Sequence, residues 1–244
     1  TTDGLYVFSC GIAAKQMADK VNARIVSNGV KGEVHTYSVT DYAESVINAA
    51  SGVYSDKAVN AVKAMLNYGT AAQQYFGYNT DNPANSIMTD DDKNMDMVGF
   101  NTYTGKLVNA DSVSGISYYG SSLVLESDTI LRNYFELSDG YSIDNYTFYV
   151  KDKDGNKNII APQKTDASLY YIDISNVKAY ELADNVNIYV QKNGDSEDKI
   201  MMLEYGAYVY ARYVDKYLDN TALKNLMTAM YHYCNAATEY ANIY

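Results

Sequence analysis

Residues 60–75, NAVKAMLNYGTAAQQY, fall on residues 225–240, NLMTAMYHYCNAATEY, when the chain is shifted by 165 positions. Both stretches contain the pattern YxxAAxxY, which places small alanines along one stripe of a helix. The same shift places LYVFSCGIAAKQMADKVNARIVSNG, from Leu5, on YYIDISNVKAYELADNVNIYVQKNG, from Tyr170. Fifteen aligned pairs are identical, without a gap. We interpret this agreement as an internal duplication.

Each copy is predicted to contain a β-hairpin followed by two helices. The strands are expected at Leu5–Phe8 and Lys20–Val26, and at Tyr170–Ile174 and Asn185–Gln191. Asn28-Gly29 and Asn193-Gly194 are hairpin-turn dipeptides, because Asn and Gly accept positive φ. The helices are expected at Val39–Ala49, Asp56–Phe76, Tyr205–Leu218 and Thr221–Asn242. Ser55 or Asp56 and Asn220 or Thr221 are the expected N-caps of the two longer helices.

The two copies differ in what precedes them. The second follows a β-rich stretch from Ser117 to Pro162, with Asp154-Gly155 as a hairpin turn. By the register of the repeat, the first copy lacks about 50 corresponding residues before Thr1, so we expect the chain to begin inside a unit. Its hairpin would then borrow strands from the second copy, pair with another chain, or remain a partly exposed edge.

The resulting fold class is α+β: an antiparallel β-sheet or sandwich with αα-hairpins, internally duplicated, with the first copy truncated. Residues 1–79 form the first unit and residues 115–244 the complete second unit. The intervening residues 80–114 are rich in Asn and Asp, and they are expected to be a linker.

Composition and motifs argue against several functions. The net charge of -11, with a pI near 4.5, disfavours nucleic acid and anionic membrane surfaces as partners. No apolar run approaches the roughly 20 residues of a membrane-spanning helix, so no membrane insertion is expected. The chain has no phosphate-binding loop, GxSxG, HExxH or CxxC motif, which indicates a non-catalytic protein without a cofactor.

Metal and disulfide chemistry are weakly indicated. Cys10 and Cys234 match no metal spacing, and sequence leaves open whether they form a disulfide. The acidic groups Asp90-Asp91-Asp92 and Asp152/Asp154 could hold calcium, but such turn clusters are usually solvated. We therefore expect no metal site.

The tyrosines carry the strongest binding signal, since the chain has 27 of them and no tryptophan. Alternation predicts that apolar residues of the second copy's strands face a core, among them Phe135, Phe148, Ile172, Ile188 and Val190. It then sends a row of tyrosines with polar neighbours to the opposite face. The candidate carbohydrate-binding residues are Tyr134, Tyr149, Tyr171, Tyr189, Arg132, Asn187 and Gln191. Aromatic rings stack on the CH faces of sugars and polar groups bind the hydroxyls. The alternative is that helices cover this face, making the tyrosines ordinary packing residues.

The chain resembles a repeated module of large secreted proteins of gut and rumen Gram-positive anaerobes. The motifs that carry the resemblance are VFSCGIAAKQMAD, HTYSVTDYAESVI, VKAMLNYGTAAQQYFGYNTDNPAN, SLVLESDTILRNYF and MTAMYHYCNAATEY. The resemblance implies an extracellular or cell-surface location, neighbouring domains in a larger protein, and association with plant or dietary polysaccharide. It implies no catalytic residues. The alternative function is a structural or protein-interaction spacer module of a cell-surface protein.

Overall fold

The computed structural model describes residues 8–96, 107–109, 113–125, 129–152, 154–175, 177–181, 185–194, 199–204 and 219–242. Within these ranges the helices are α1 (Val39–Ile47), α2 (Asp56–Phe76), α3 (Asp90–Lys93) and α4 (Thr221–Ala241), with 3-10 helices at Ala14–Gln16, Ile143–Asn145 and Ala179–Glu181. The strands are β1 (Val21–Ala23), β2 (Val26–Ser27), β3 (Val30–Lys31), β4 (His35–Tyr37), β5 (Leu107–Asn109), β6 (Ile116–Leu125), β7 (Thr129–Leu137), β8 (Tyr146–Lys151), β9 (Lys157–Ile160), β10 (Gln163–Lys164), β11 (Tyr170–Ile174), β12 (Asn185–Lys192) and β13 (Lys199–Glu204). The fold class is α+β, as predicted.

The β-rich part is a sandwich of two antiparallel sheets. One has the strand order β10-β11-β7-β6 and the other the order β5-β13-β12-β8-β9. Phe135 and Phe148, from opposite sheets, pack with ring centroids 5.0 Å apart. Ile172, Ile188 and Val190 complete the core between the sheets. These residues belong to the inward-facing set that alternation predicted, so the strand pattern is confirmed here.

The helical part is built around the pair α2 and α4. Leu66 of α2 and Leu226 of α4 are fully buried in one apolar core. Leu131 of β7 belongs to the same core and joins the helices to the sandwich. Tyr68 and Tyr233 stack across the helix interface, with ring centroids 5.9 Å apart. Burial raises the pKa of the Tyr68 phenol to about 12.

Matching elements of the two copies lie 165 positions apart. This offset relates the starts and ends of α2 and α4, and also the 3-10 helices Ala14–Gln16 and Ala179–Glu181. Ser55 and Asn220 cap the two long helices, each accepting a backbone N–H three residues later. The predicted long helices and their caps are therefore confirmed. That residues 5–78 and 170–243 superpose as one duplicated unit stays a prediction, and the strand residues 5–7 and the helix expected at Tyr205–Leu218 lie outside the described residues.

The hairpin of the first copy is shorter and less regular than predicted. The strand expected over Lys20–Val26 is interrupted between β1 and β2, and Phe8 is not in a strand. The Asn28-Gly29 turn is confirmed, with φ of 49° and 80°. Most of the hairpin is exposed, including Ile25, Val30 and Tyr37. Within the single chain the hairpin is a partly exposed edge, and pairing with another chain stays a prediction.

The segment after α2 differs from the expected linker over residues 80–114. Ala84 and Met88 are buried in the helical core. Polar side chains along one face of α2 hold the segment: Gln73 and Thr70 accept the backbone N–H groups of Ala84 and Asn85, and Asn67 donates to the carbonyl of Asp92. Further on, Leu107–Asn109 forms the edge strand β5, and Val113 is buried in the sandwich core. Apolar residues among the Asn and Asp residues explain the difference, because burying them stabilises the docked conformation.

Candidate functional site

The sandwich divides the predicted tyrosine row between two opposite surfaces. Tyr134 and Tyr171 lie on neighbouring strands of the four-stranded sheet, whereas Tyr149 and Tyr189 lie on neighbouring strands of the five-stranded sheet. The inward-facing residues of both sheets meet in the core, so the alternate residues point outward on opposite sides. The four tyrosines therefore do not form the single row that the sequence predicted, because β7 and β11 belong to one sheet and β8 and β12 to the other.

The first surface combines aromatic and charged groups. Tyr134 and Tyr171 are cross-strand neighbours with ring centroids 6.0 Å apart. The guanidinium of Arg132 lies 4.1 Å from the centroid of Tyr171 and donates two hydrogen bonds of 2.8 Å to Asp173. This bidentate contact raises the pKa of Arg132 above its usual value. The Tyr171 hydroxyl donates to Gln163 at 2.6 Å. The polar groups of this surface therefore satisfy one another.

The second surface is closed around Tyr149. Tyr149 and Tyr189 stack almost in parallel with centroids 5.0 Å apart, and Tyr149 is 0% exposed. The Lys157 ammonium lies 4.3 Å from the Tyr149 centroid, and that of Lys151 lies 4.2 Å from the Tyr189 centroid. A fully buried ring offers no face for a sugar, so Tyr149 is a packing residue. That helices cover this face, the alternative from the sequence, stays a prediction. Three other candidates on this surface are half-buried: Tyr189, Asn187 and Gln191.

A third surface was not predicted from the sequence. A groove of about 570 Å³ opens between α1, α2, α4 and the 3-10 helix at Ala179–Glu181. Its floor consists of small or apolar side chains, and Lys178 lies at its rim. Five tyrosines also line it: Tyr42, Tyr54, Tyr180, Tyr233 and Tyr240. Tyr42 is 59% exposed, and Tyr54, Tyr180 and Tyr240 are also exposed, whereas Tyr233 is half-buried. We call this surface the tyrosine groove.

The groove exists because α2 and α4 differ in side-chain size. Ala58, Ala61 and Val62 form part of its floor. At the positions 165 residues later, α4 carries Leu223, Leu226 and Met227, which are buried. Smaller side chains in the first half of α2 leave the space that the larger side chains of α4 fill in the core. In the sequence, the groove could have been predicted from this difference in side-chain size together with the spacing of Tyr233 and Tyr240 along α4.

The Ala179–Glu181 segment that forms one wall of the groove is attached to α4. The Thr238 hydroxyl donates to the Tyr180 carbonyl at 3.3 Å. Lys178 lies with its ammonium 5.4 Å from the Tyr180 ring centroid, and a hydrogen bond with the Tyr180 hydroxyl raises the pKa of Lys178. Both groups are exposed, so a cationic donor and a phenol stand together at the rim.

The remaining candidate groups have structural partners. Asp152 accepts backbone N–H groups of Asp154 and Asn156 in the turn between β8 and β9, and Asp92 accepts from Lys63 at 2.8 Å. In the part of the chain that is described, no three His, Cys, Asp or Glu residues are grouped as metal ligands. Cys10 is exposed and Cys234 is buried, and both are free thiols. No helix within the described ranges is long and apolar enough to cross a membrane.

Comparison with known proteins adds no relative. No protein family matches the sequence, and neither a curated protein nor a solved structure is significantly similar to the chain.

Proposed function

We propose that this chain is a non-catalytic, extracellular module that binds polysaccharide, and that the sugar binds in the tyrosine groove. The observation that carries the proposal is the convergence of five tyrosines on a groove of about 570 Å³. Ligand pockets of about 300–1,000 Å³ with mainly apolar walls and a few polar groups are typical of small-molecule and oligosaccharide sites. Tyrosine supplies both the apolar ring that stacks on a sugar and a hydroxyl that binds its polar groups.

The groove supports sugar binding better than the surface around Tyr134 and Tyr171. On that sheet surface, Arg132 and Asp173 bind each other, and Tyr171 binds Gln163. A ligand there would have to replace these contacts, whereas the groove is concave and its rim groups Tyr42 and Lys178 are exposed. The sheet surface remains the comparison site for experiments.

The test is retention in polysaccharide affinity gels, after a glycan array has selected the polysaccharide. Tyr42→Ala and Tyr180→Ala should each weaken binding by about 1–3 kcal/mol, the scale of one lost aromatic contact. Tyr119→Ala is the matched control, because Tyr119 is 64% exposed and does not line the groove. If only Tyr134→Ala and Tyr171→Ala lose retention in the gel, the sugar binds on the outer surface of the four-stranded sheet and not in the groove. Absence of binding to any glycan would reject the function.

A second function is favoured by a different observation. The first copy's hairpin exposes Ile25, Val26 and Val30, a concentration of apolar side chains that is more typical of a protein-binding surface than of a solvated one. This supports the role of a structural or protein-interaction module beside neighbouring domains of a cell-surface protein. The extracellular location in both proposals is supported by the family resemblance alone. The net charge of -11 continues to disfavour nucleic acid as a partner.

A further inference from the structure

The hairpin predicted between Tyr170–Ile174 and Asn185–Gln191 is wrong, because β11 and β12 lie in different sheets and β12 pairs with β13 instead. The β12–β13 hairpin of the second copy and the hairpin over residues 21–37 of the first occupy matching places in the sequence but have different surroundings. In the second copy, β12 pairs with β13 and also with β8, while β13 pairs with β5. In the first copy, β1 pairs with β4 and β2 with β3, and no further strand joins them among the described residues. Val190 of β12 is 0% exposed, whereas Ile25, which lies 165 positions earlier, is 71% exposed. The same position is therefore a core position in one hairpin and a surface position in the other.

The open edge of the first hairpin offers backbone groups for pairing. Ser27 and Val30 flank the two-residue turn and form a cross-strand pair, and Ile25 accepts a hydrogen bond from the N–H of Gly32 at 2.9 Å. Because hydrogen-bonding directions alternate along a strand, the N–H and C=O of Val26 point away from β3. Val26 is 56% exposed. With respect to the strands that the structure describes, the edge is thus both unpaired and apolar, the combination that promotes strand addition.

The second copy indicates which kind of strand fits this edge. Residues 24–27 lie 165 positions before residues 189–192, which pair with residues 146–149 of β8. In β8 the side chains alternate between the sandwich core, at Tyr146 and Phe148, and the outer face, at Tyr149. A strand with this alternation would cover Ile25 while binding the outward backbone groups of Val26.

We propose that the hairpin over residues 21–37 is a strand-acceptor site, which binds antiparallel along residues 24–27 an extended strand of a partner polypeptide with the side-chain alternation of β8. The partner differs from this chain, because β8 of this chain is already paired on both sides, with β12 and with β9. The pairing of residues 189–192 with residues 146–149 in the second copy is the observation that indicates this occupant. The main-chain hydrogen bonds provide affinity, and the alternating aromatic side chains provide selectivity. This site is separate from the tyrosine groove, and its proposal does not depend on polysaccharide binding.

The first test uses a synthetic peptide of residues 142–161, which contains β8 and β9, added to the full chain. Hydrogen exchange should show new protection at the amides of residues 24–27, and a scrambled peptide of the same composition should give none. Protection limited to β12 would mean that the peptide competes with the chain's own β8, and it would overturn the proposal. So would equal protection by the scrambled peptide, or no binding.

The second test compares two substitutions at the same position. Val26→Pro removes the outward N–H, whereas Val26→Thr keeps both the N–H and a β-branched side chain. We expect the peptide to bind Val26→Pro at least about tenfold more weakly and Val26→Thr within about twofold of the original chain. Peptide binding that is unchanged in Val26→Pro would refute the site. Slow hydrogen exchange of the Gly32 amide in each variant without peptide verifies that the hairpin is intact. If a variant has lost the hairpin, the hydrogen-exchange experiment with the peptide and the original chain decides whether the site exists.

Discussion

Gly69 lies in the middle of α2, where an alanine would ordinarily stabilise the helix by about 1 kcal/mol. The surroundings of Gly69 predict the opposite result for Gly69→Ala. A Cβ atom there would lie 2.8 Å from Met17 Sδ, 3.1 Å from Ala84 Cβ and 3.2 Å from the Ala14 carbonyl oxygen. The thioether of Met17 can move aside, but the Ala14 carbonyl and Ala84 are fixed by their backbones.

The expected magnitude follows from these two opposed effects. Overpacking of a close-packed site typically costs about 1–3 kcal/mol, which exceeds the gain in helix propensity. We therefore expect Gly69→Ala to lower the free energy of unfolding by roughly 1 kcal/mol, the difference of two estimates. Urea unfolding followed by circular dichroism measures the change, provided that the slope with denaturant is unchanged.

A double-mutant cycle with Ala84→Gly identifies the contact responsible. Removing the Ala84 Cβ gives the new methyl group at position 69 more room, so the double variant should be more stable than the sum of the single changes predicts, by about 0.5–1 kcal/mol. A Gly69→Ala chain that is more stable than the original, or a cycle without coupling, would refute the close packing of residues 80–96 on α2.

Two further predictions concern Tyr149, which the structure shows to be buried, and Asp92, which it shows to be paired with Lys63. Tyr149→Ala should lower the free energy of unfolding by about 3–5 kcal/mol, because a fully buried aromatic ring is lost. Tyr171→Ala is the control and should lower the free energy of unfolding distinctly less. If urea unfolding gives equal, small decreases for both variants, the burial of Tyr149 is contradicted. The Lys63 hydrogen bond holds the pKa of Asp92 below its usual value, so this carboxylate stabilises the folded chain above about pH 4 and loses that contribution as the pH falls through its folded-state pKa. The unfolding temperature of Asp92→Asn should accordingly fall less steeply on acidification than that of the original chain, and parallel curves would show that the Lys63–Asp92 pair contributes nothing.

The sequence predicted local structure well wherever one periodic pattern dominated. The helix over Asp56–Phe76, the N-caps Ser55 and Asn220 and the Asn28-Gly29 turn are all found where expected. Strand alternation likewise predicted that Phe135, Phe148 and Ile188 face a core. Such features depend on neighbouring residues in the chain, since helix periodicity, capping and positive φ are all local properties.

The candidate site depended on contacts between distant parts of the chain. Alternation showed that Tyr134 and Tyr149 point away from the core, but only the assignment of their strands to different sheets placed them on opposite surfaces. The tyrosine groove brings residues of α1 and α2 together with residues more than 100 positions later, such as Lys178 and Tyr240. Sequence spacing contains no information about that distance.

By itself, then, the sequence determined the long helices α2 and α4, the Asn28-Gly29 turn, inward-facing core residues of the strands and the 165-residue offset between matching elements. Tertiary structure alone decided that residues 80–96 pack on α2, that Tyr149 is buried, and that the first hairpin remains exposed while the second is covered. The physical reason is that periodicity and backbone preference act over a few residues, whereas burial depends on which surfaces meet after the chain has folded.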